Sequence, residues 1–201
     1  MPMKKIVLAT SNRGKLAEMQ PLLADAGFEL VTQGELGVPD AIEDGYTFIE
    51  NALIKARHAA AMTGLPALAD DSGLIVDALH GAPGLISAHY AGVHGDAVAN
   101  IRKLLAELRG IPEAQRGARF ISVIVLLWHP HDPQPLIAEG LWEGRVLETP
   151  RGDGGFGYDP VFFDPALGLT AAQLPAEVKN RVSHRGRALA LLREKLAALA
   201  P

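Results

Sequence analysis

The sequence predicts one mixed α/β domain over residues 1–201. Near its start, a buried strand (4–10) is followed by a polar turn and by an apolar-periodic helix that stops at Gly27, which is a strand–loop–helix unit. Later in the chain, two long strands are predicted at 119–128 and 135–146, joined by a proline-rich turn. No internal repeat, low-complexity segment or linker interrupts the sequence, so a single domain accounts for the whole chain.

The composition limits the classes of function. The chain is 48% hydrophobic with a formal net charge of -4, which suits one globular domain. It contains no cysteine, so a catalytic metal must be held by oxygen or histidine ligands. Its 23 acidic and 19 basic residues argue against a protein that binds nucleic acid without sequence preference. The apolar run 6–9 is too short for a signal peptide or a membrane span, so we predict a cytoplasmic protein without a membrane partner.

Capping signals predict a helix before the middle of the chain. Thr47 with Glu50 forms a capping box, and the helix should run to about Met62 and end at Gly64, which gives Glu50 a structural role. The other predicted elements are a strand at 28–32, a loop at 34–45, helices at 96–108 and 185–199, and an apolar segment at 161–163.

The motif Thr10-Ser-Asn-Arg-Gly-Lys15 lies between the first strand and the first helix. Its hydroxyls, amide and lysine stand beside the unpaired N–H groups of a helix N-terminus, which makes this junction a candidate anion site. It is not a Walker A loop, which has a longer glycine-rich cradle ending in Gly-Lys-Ser or Gly-Lys-Thr. The motif alone is equally compatible with Ser11 or Asn12 acting only as a helix cap.

Asp70 and Asp71 form an adjacent carboxylate pair between two apolar segments. We predict that the pair lies in a break between or beside two strands, which the following Ser72-Gly73 permits. On an unbroken strand the two side chains would point to opposite faces and would not both reach one metal ion. One of the two is therefore predicted to be structural, and a solvated turn is the alternative for the pair taken alone.

Further acidic residues precede this pair. Glu43 and Asp44 lie in the loop at 34–45, and Glu50 lies on the next helix. Mg²⁺ usually takes only one or two carboxylates and completes its octahedron with water and phosphate oxygens, so any of these residues is a candidate additional ligand.

The segment Gly152-Asp-Gly-Gly-Phe-Gly157 matches the spacing of the dinucleotide-binding glycines. It lacks the required context, because it follows no hydrophobic strand and Pro160 keeps Asp159 extended, so no helix opens there. The glycines permit close approach of a ligand, and Phe156 and Tyr158 offer an aromatic face for a base. The alternative is a tight loop whose aromatic rings pack into the core.

Lys179 and the segment Ser183-His-Arg185, at the start of the last helix, form a second cationic candidate site for an anion or a base edge. A solvated basic turn is the alternative. His58, His129 and His131 have no suitably spaced partner, and we assign them no metal.

These motifs together resemble the inosine triphosphate pyrophosphatase family, the dITP/XTP pyrophosphatases that remove non-standard purine nucleotides. The resemblance covers almost the whole chain, and the ordered series of motifs is specific although each one alone is weak. The motifs are Leu8-Ala-Thr-Ser-Asn12 with Lys15, Glu43, Phe48-Ile-Glu-Asn-Ala52 with Lys55-Ala56, Ala69-Asp-Asp-Ser-Gly73, Gly81-Ala-Pro-Gly84, Gly154-Gly-Phe-Gly-Tyr-Asp-Pro160 and Ser183-His-Arg-Gly186.

The resemblance implies a fold, an activity and a set of site residues. The implied fold is a long mixed β-sheet with flanking helices that form two lobes around a central cleft, usually in a homodimer. The implied activity is magnesium-dependent hydrolysis of ITP, dITP, XTP or dXTP to the monophosphate and pyrophosphate, with Mn²⁺ as a possible substitute. Glu43 and Asp71 would serve the metal, and Asp71 would also accept a proton. The implied substrate-binding residues are Thr10, Ser11, Asn12, Arg13, Gly14, Lys15, Ser72, Phe156, Gly157, Tyr158, Asp159, Lys179, His184 and Arg185.

Three other functions fit the sequence less well. A nucleotide-binding regulator without turnover would lack a second carboxylate site, whereas Glu43 and Asp71 are both present. A phosphatase that forms an aspartyl-phosphate needs an Asp-x-Asp nucleophile after the first strand, where this chain has Thr10-Ser-Asn12. A dinucleotide-dependent oxidoreductase is excluded by the context of the glycine motif.

Overall fold

The computed structural model describes residues 4–10, 13–24 and 27–198. Within these residues there are seven strands and five α-helices. The strands are β1 (Lys4–Leu8), β2 (Phe28–Thr32), β3 (Ala67–Val76), β4 (Gly117–Leu127), β5 (Leu136–Val146), β6 (Phe162–Asp164) and β7 (Leu169–Thr170). The helices are α1 (Arg13–Ala24), α2 (Phe48–Thr63), α3 (Ala97–Glu107), α4 (Ala176–Val182) and α5 (His184–Ala197), and short 3-10 helices occupy Asp77–Leu79, Gly84–His89, Glu113–Gln115 and Ala171–Gln173.

The described strands form one mixed sheet in the order β2-β1-β3-β4-β5-β6-β7. Strand β1 is parallel to β2, with Leu8 opposite Thr32, and parallel to β3, with Leu8 opposite Leu68. Strand β6 is antiparallel to β5, with Phe162 opposite Val146, and antiparallel to β7. The predicted α/β class with a long mixed sheet is confirmed. No helix in the described ranges is long and apolar enough to cross a membrane.

The chain divides into two compact units. The first unit comprises Met1–Asp71, Ser122–Gly140 and Arg185–Pro201, and the second comprises Ser72–Ile121 and Leu141–His184. Each unit has its own apolar core, and β3, β4 and β5 each contribute residues to both units.

The core of the first unit forms between its parallel strands and its helices. Ile6 and Leu8 of β1 are fully buried together with Met19 and Leu23 of α1. The adjacent Val7 is also fully buried. Burial on both faces is typical of a central parallel strand that is flanked by helices, and it explains the continuous apolar run in the sequence.

Aromatic rings dominate the core of the second unit. The ring centroids of Phe120 and Phe162 lie 4.5 Å apart, and those of Trp142 and Phe162 lie 4.9 Å apart with the rings edge to face. The indole N–H of Trp142 donates to the Asp164 carboxylate at 2.8 Å, which satisfies its one polar atom inside the core. Trp128, which follows β4 in the first unit, is instead 37% exposed.

The predicted capping of α2 is confirmed. The hydroxyl oxygen of Thr47 accepts a hydrogen bond from the backbone N–H of Glu50 at 3.2 Å, and the Glu50 carboxylate accepts from the backbone N–H of Tyr46 at 2.9 Å. Gly64 ends the helix in the left-handed region with a φ of 69°. Glu50 therefore has the structural role that the capping box predicted.

The predicted break at the acidic pair is wrong. Strand β3 runs unbroken from Ala67 to Val76, through Asp70 and Asp71 and on past Ser72-Gly73. It is hydrogen-bonded to β1 on one side and to β4 on the other, and these pairings override the local turn preference of serine and glycine. The Asp70 and Asp71 side chains therefore point to opposite faces of the sheet.

Most other predicted bounds agree with the structure to within two residues. The last helix begins at His184 and ends at Ala197, close to the predicted 185–199. Helix α4 was not predicted, because its seven residues give too short a stretch for a periodic apolar pattern to show.

A close backbone contact in β5 yields a test of the second unit's packing. A methyl group on Gly144 would lie 2.5 Å from the carbonyl oxygen of Phe163 and 2.6 Å from the Phe162 ring. We expect Gly144→Ala to lower the free energy of unfolding by about 1–3 kcal/mol through overpacking, as measured by urea denaturation. Glu143→Ala, at the exposed neighbouring position, is the control and should change stability little. Equal stabilities of the two variants would contradict the tight contact.

Candidate active site

A buried ion cluster surrounds Asp70 in the first unit. The Asp70 side chain has no exposed surface, and its Oδ2 lies 2.9 Å from Lys15 Nζ and 3.2 Å from Arg185 Nη2. The hydroxyl of Ser122 donates to its Oδ1 at 2.6 Å. Lys15 also donates to the Asp70 carbonyl at 3.1 Å. The cluster thus ties the first turns of α1 and α5 to the central strands β3 and β4.

The surroundings of Asp70 keep it ionised. Burial alone would raise its pKa, but the ammonium of Lys15 and the guanidinium of Arg185 outweigh that effect, helped by the Ser122 hydroxyl. The pKa of Asp70 is therefore held well below its usual range. Asp70 is the structural member of the acidic pair, as predicted for one of the two, and its carboxylate is occupied by two cations and a hydroxyl rather than offered to a metal.

A second charged group lies on the other side of β3. The ammonium of Lys55, on α2, is 2.7 Å from Asp71 Oδ1 and 3.0 Å from Glu43 Oε2. The side chains of Lys55 and Asp71 are each 13% exposed, and that of Glu43 is 41% exposed. We call Glu43, Lys55 and Asp71 the charged trio. It carries a net charge of about -1 when all three residues are ionised.

Two members of the charged trio, Asp71 and Lys55, have raised pKa values. Burial raises the pKa of Asp71, and this effect exceeds the opposing influence of Lys55. Burial opposes the charge of Lys55, yet the carboxylates of Asp71 and Glu43 raise the pKa of that ammonium. A carboxylate with a raised pKa is a better proton acceptor than an ordinary one. Of the two carboxylate oxygens of Asp71, only Oδ1 accepts a hydrogen bond from the described residues. Oδ2 is therefore available to orient a water molecule.

The two carboxylates of the charged trio are the residues that could hold a divalent metal ion. Both carboxylates approach the same ammonium to within 3.0 Å, so their oxygens converge on one point. Hard oxygen donors suit Mg²⁺ and Mn²⁺, which often use one or two carboxylates with water and phosphate. The described residues contain no cluster of three or more His, Cys, Asp or Glu side chains placed to hold a metal, so Glu43 and Asp71 would act as a pair. Asp44 is exposed and makes no hydrogen bond or ion pair within the part of the chain that the structure describes.

The glycine-rich loop of the second unit brings three predicted residues together. The Asp159 carboxylate accepts a hydrogen bond from the Phe156 backbone N–H at 2.7 Å and forms an ion pair with Lys179. Lys179 Nζ also lies 4.7 Å from the centroid of the Phe156 ring. Phe156 as a whole is 52% exposed. Gly155 has a φ of 73°, and a Cβ there would collide with Asp159, so this position requires glycine. The loop presents an exposed aromatic face beside an ammonium group.

Other predicted residues of the second unit lie in its core. The Tyr158 ring is buried, and its hydroxyl donates to the Ser87 carbonyl at 2.9 Å. For Tyr158 the structure therefore agrees with the core-packing alternative, and an aromatic face for a base is offered by Phe156 alone. Any contact of Tyr158 or Gly157 with substrate would be through the backbone. His184 is buried and stacks on Phe120 with ring centroids 4.8 Å apart.

The remaining predicted residues are only partly described. Ser11 and Asn12 lie outside the described residues, and Arg13 and Gly14 are described only as the backbone that opens α1. Thr10 is the second residue after the end of β1 and is partly exposed. Ser72 follows Asp71 on β3 and is also partly exposed.

Lys55 and Ser122 belong to the two charged groups but are not among the site residues predicted from the sequence. A signal for Lys55 was present, because it lies on the face of α2 that also carries Ala52, Ala56 and Ala59, all fully buried. A lysine on a buried face requires a charged partner. Ser122 gave no comparable signal, because its role depends on the neighbouring strand β3.

Comparisons with known proteins find relatives along nearly the whole chain. Residues 6–195 match the model of the Ham1 family. The chain is 64% identical to the dITP/XTP pyrophosphatase of Xanthomonas oryzae pv. oryzae over 98% of this chain and 99% of that protein. It is 63% identical to the dITP/XTP pyrophosphatase of Xylella fastidiosa strain Temecula1 over 96% of this chain and 98% of that protein. The solved structure of a HAM1 protein from Coxiella burnetii superposes with a TM-score of 0.92 at 50% identity, covering 98% of this chain and all of that one.

Substitution of Asp70 tests its structural role. In Asp70→Asn, the cations Lys15 and Arg185 lose their buried counter-charge, and we expect the free energy of unfolding at pH 7 to fall by about 3–5 kcal/mol. Because the folded-state pKa of Asp70 is lowered, its contribution is complete above the unfolded pKa of about 3.9 and is lost as the pH falls through the folded value.

Urea denaturation from pH 8 to pH 3 measures this contribution. The difference between wild type and Asp70→Asn should be constant above about pH 5 and should shrink below about pH 4. Asp44→Asn removes an exposed carboxylate and serves as the control, with little effect expected. If Asp70→Asn were as stable as this control at pH 7, the ion cluster would not stabilise the fold.

Proposed function

Because this chain belongs to the Ham1 family, whose relatives matched here are named dITP/XTP pyrophosphatases, we propose that it is a hydrolase of non-canonical purine nucleoside triphosphates. Its substrates would be ITP, dITP, XTP and dXTP, and its products the nucleoside monophosphate and pyrophosphate. This reaction would remove such nucleotides from the pool. The observation that supports it best is the charged trio, in which a buried Asp71 with a raised pKa lies beside a second carboxylate and a lysine.

Asp71 is the proposed proton acceptor. Its Oδ2 orients a water molecule and takes a proton from it as the water oxygen attacks the α-phosphorus in line with the bond to the β-phosphate. The new bond joins oxygen to the α-phosphorus, and the bond that breaks releases pyrophosphate. Burial supports this role, because a carboxylate with a raised pKa gains more from accepting a proton.

Glu43 and Asp71 are the proposed metal ligands. When bound, Mg²⁺, or Mn²⁺ as a substitute, would neutralise charge on the phosphates and align them for displacement. The convergence of the two carboxylates on one ammonium group supports this assignment.

The junction of β1 and α1 is the proposed triphosphate site. Thr10 to Lys15 would bind phosphate oxygens through hydroxyl, amide and backbone N–H groups, and the N-terminus of the 12-residue helix α1 favours negative charge. Lys15 is held by Asp70, so its ammonium does not have to be ordered when the phosphate arrives.

The exposed ring of Phe156 and the ammonium of Lys179 are the proposed contacts of the base. Phe156 would stack on the purine, and Lys179 or a backbone N–H would donate to the 6-oxo group. Adenine presents an amino donor at that position. Each buried donor left facing another donor costs about 1–3 kcal/mol. Two such mismatches would therefore favour the 6-oxo substrates over ATP by roughly 100-fold. Arg185 is held by Asp70 in the first unit, so Lys179 is the better-supported donor of the two predicted.

We also propose that the enzyme is a cytoplasmic homodimer. The family resemblance supports the dimer.

A product assay tests the proposed activity. ITP, XTP, GTP and ATP are incubated with the protein with and without Mg²⁺, and pyrophosphate and orthophosphate are measured separately. We expect pyrophosphate from ITP and XTP only when Mg²⁺ is present. Orthophosphate as the product, or no turnover of any nucleotide, would contradict the proposal.

Asp71→Asn tests the proton acceptor. The variant keeps the size of the side chain but removes the basic carboxylate, and we expect turnover of ITP to fall at least ~100-fold. Stability should change less than in Asp70→Asn, because Lys55 keeps Glu43 as a partner. A folded Asp71→Asn variant with near-normal turnover would exclude Asp71 from this role.

A further inference from the structure

The Lys55 ammonium occupies the point on which the two proposed metal-binding carboxylates converge. We propose that Lys55 is an internal competitor for the divalent ion: it keeps the affinity of the nucleotide-free protein for the bare ion low, so that the ion is retained only together with a triphosphate. This inference rests on the proposed function, because it concerns the same carboxylates, and it adds an order of binding to it.

The Lys55 ammonium group and a metal ion between the two carboxylates would overlap in space. Lys55 Nζ donates a charge-assisted hydrogen bond to Asp71 Oδ1 at 2.7 Å and forms an ion pair with Glu43 Oε2 at 3.0 Å. A divalent ion held by the same two oxygens would need the same space. The ion and the ammonium group therefore cannot both keep their full contacts with Glu43 and Asp71.

The helix that carries Lys55 fixes the position of this residue. Helix α2 is capped at both ends by Thr47 and Gly64, and it is anchored by alanines that have no exposed surface. Lys55 emerges from the anchored face, and its side chain is only 13% exposed. The backbone of α2 therefore fixes the position from which the Lys55 side chain reaches the two carboxylates. Arg57, two residues later on the same helix, is exposed.

The positive charge of Lys55 weakens the attraction of the two carboxylates for a bare metal ion. Two bare carboxylates would present a charge of about -2 to a cation, whereas the charged trio presents about -1. A bare ion must therefore displace an ammonium group and leave it poorly compensated, which is costly for a largely buried charge. A triphosphate removes this obstacle, because its oxygens offer new partners to the displaced ammonium group and to the ion at the same time.

Binding of Mn²⁺ to the nucleotide-free protein, followed by electron paramagnetic resonance of free Mn²⁺, tests the inference without turnover. We expect Lys55→Gln to bind Mn²⁺ at least ~10-fold more tightly than wild type, since ~1.4 kcal/mol corresponds to that ratio. Arg57→Gln removes a positive charge from the exposed face of the same helix and should bind like wild type. Lys55→Met is a second neutral variant, and circular dichroism verifies that each variant is folded.

Two further variants locate the effect. Glu43→Gln combined with Lys55→Gln should lose the gain in Mn²⁺ affinity, because one of the converging carboxylates is gone. Lys55→Arg keeps the positive charge and should retain the weak binding of wild type. If both neutral variants fail to fold, tight binding of Mn²⁺ by nucleotide-free wild type would by itself overturn the inference.

Addition of an ITP analogue with a methylene group between the α- and β-phosphates separates this inference from the proposed function. Relative to the analogue without protein, wild type with the analogue should bind Mn²⁺ tightly, and the advantage of Lys55→Gln should disappear. Equal Mn²⁺ affinities of nucleotide-free wild type and Lys55→Gln, with tight binding by both once the analogue is added, would overturn the inference and leave the proposed metal site standing. Absence of Mn²⁺ binding by both proteins, with and without the analogue, would overturn the proposed metal site as well.

Discussion

The buried carboxylate of Asp70 is the constraint on which the first unit depends. It has no exposed surface, and it meets Lys15 from α1, Arg185 from α5 and the hydroxyl of Ser122 from β4. A buried charge is tolerated only when it is compensated, so the start of each of these two helices has to lie at this point of the sheet. The position of Lys15, which is the proposed phosphate ligand, follows from this requirement.

Because side chains alternate along β3, its two adjacent aspartates have different surroundings and different roles. Asp70 and Asp71 are neighbours in sequence, yet they point to opposite faces of an unbroken strand. On one face two cations lower the pKa of Asp70, and on the other burial raises the pKa of Asp71 despite the opposing charge of Lys55. One carboxylate is thereby fixed as an anion, while its neighbour is suited to accept a proton.

Features with local causes could be predicted from the sequence, and features with distant causes could not. The bounds of α2 follow from Thr47 and Gly64, which act on their own backbone. The break expected at Ser72-Gly73 is absent because β1 and β4 pair with β3 on both sides. The buried face of α2 indicates that Lys55 needs a charged partner, but no local pattern identifies Glu43 as one of its partners, because Glu43 lies in a loop without periodic structure.

The charges proposed to bind the triphosphate already have partners within the protein. Lys15 is paired with Asp70, and Lys55 is paired with Asp71 and Glu43. This pairing limits the cost of keeping the charges partly buried. Lys15 keeps Asp70 as its partner when a phosphate binds, whereas Lys55 has to exchange its two carboxylates for new partners. A metal–triphosphate complex offers cations and anions together, so it can replace both contacts of Lys55 at once. Separate monophosphate and pyrophosphate offer fewer charges each, so re-formation of the internal pairs favours their release.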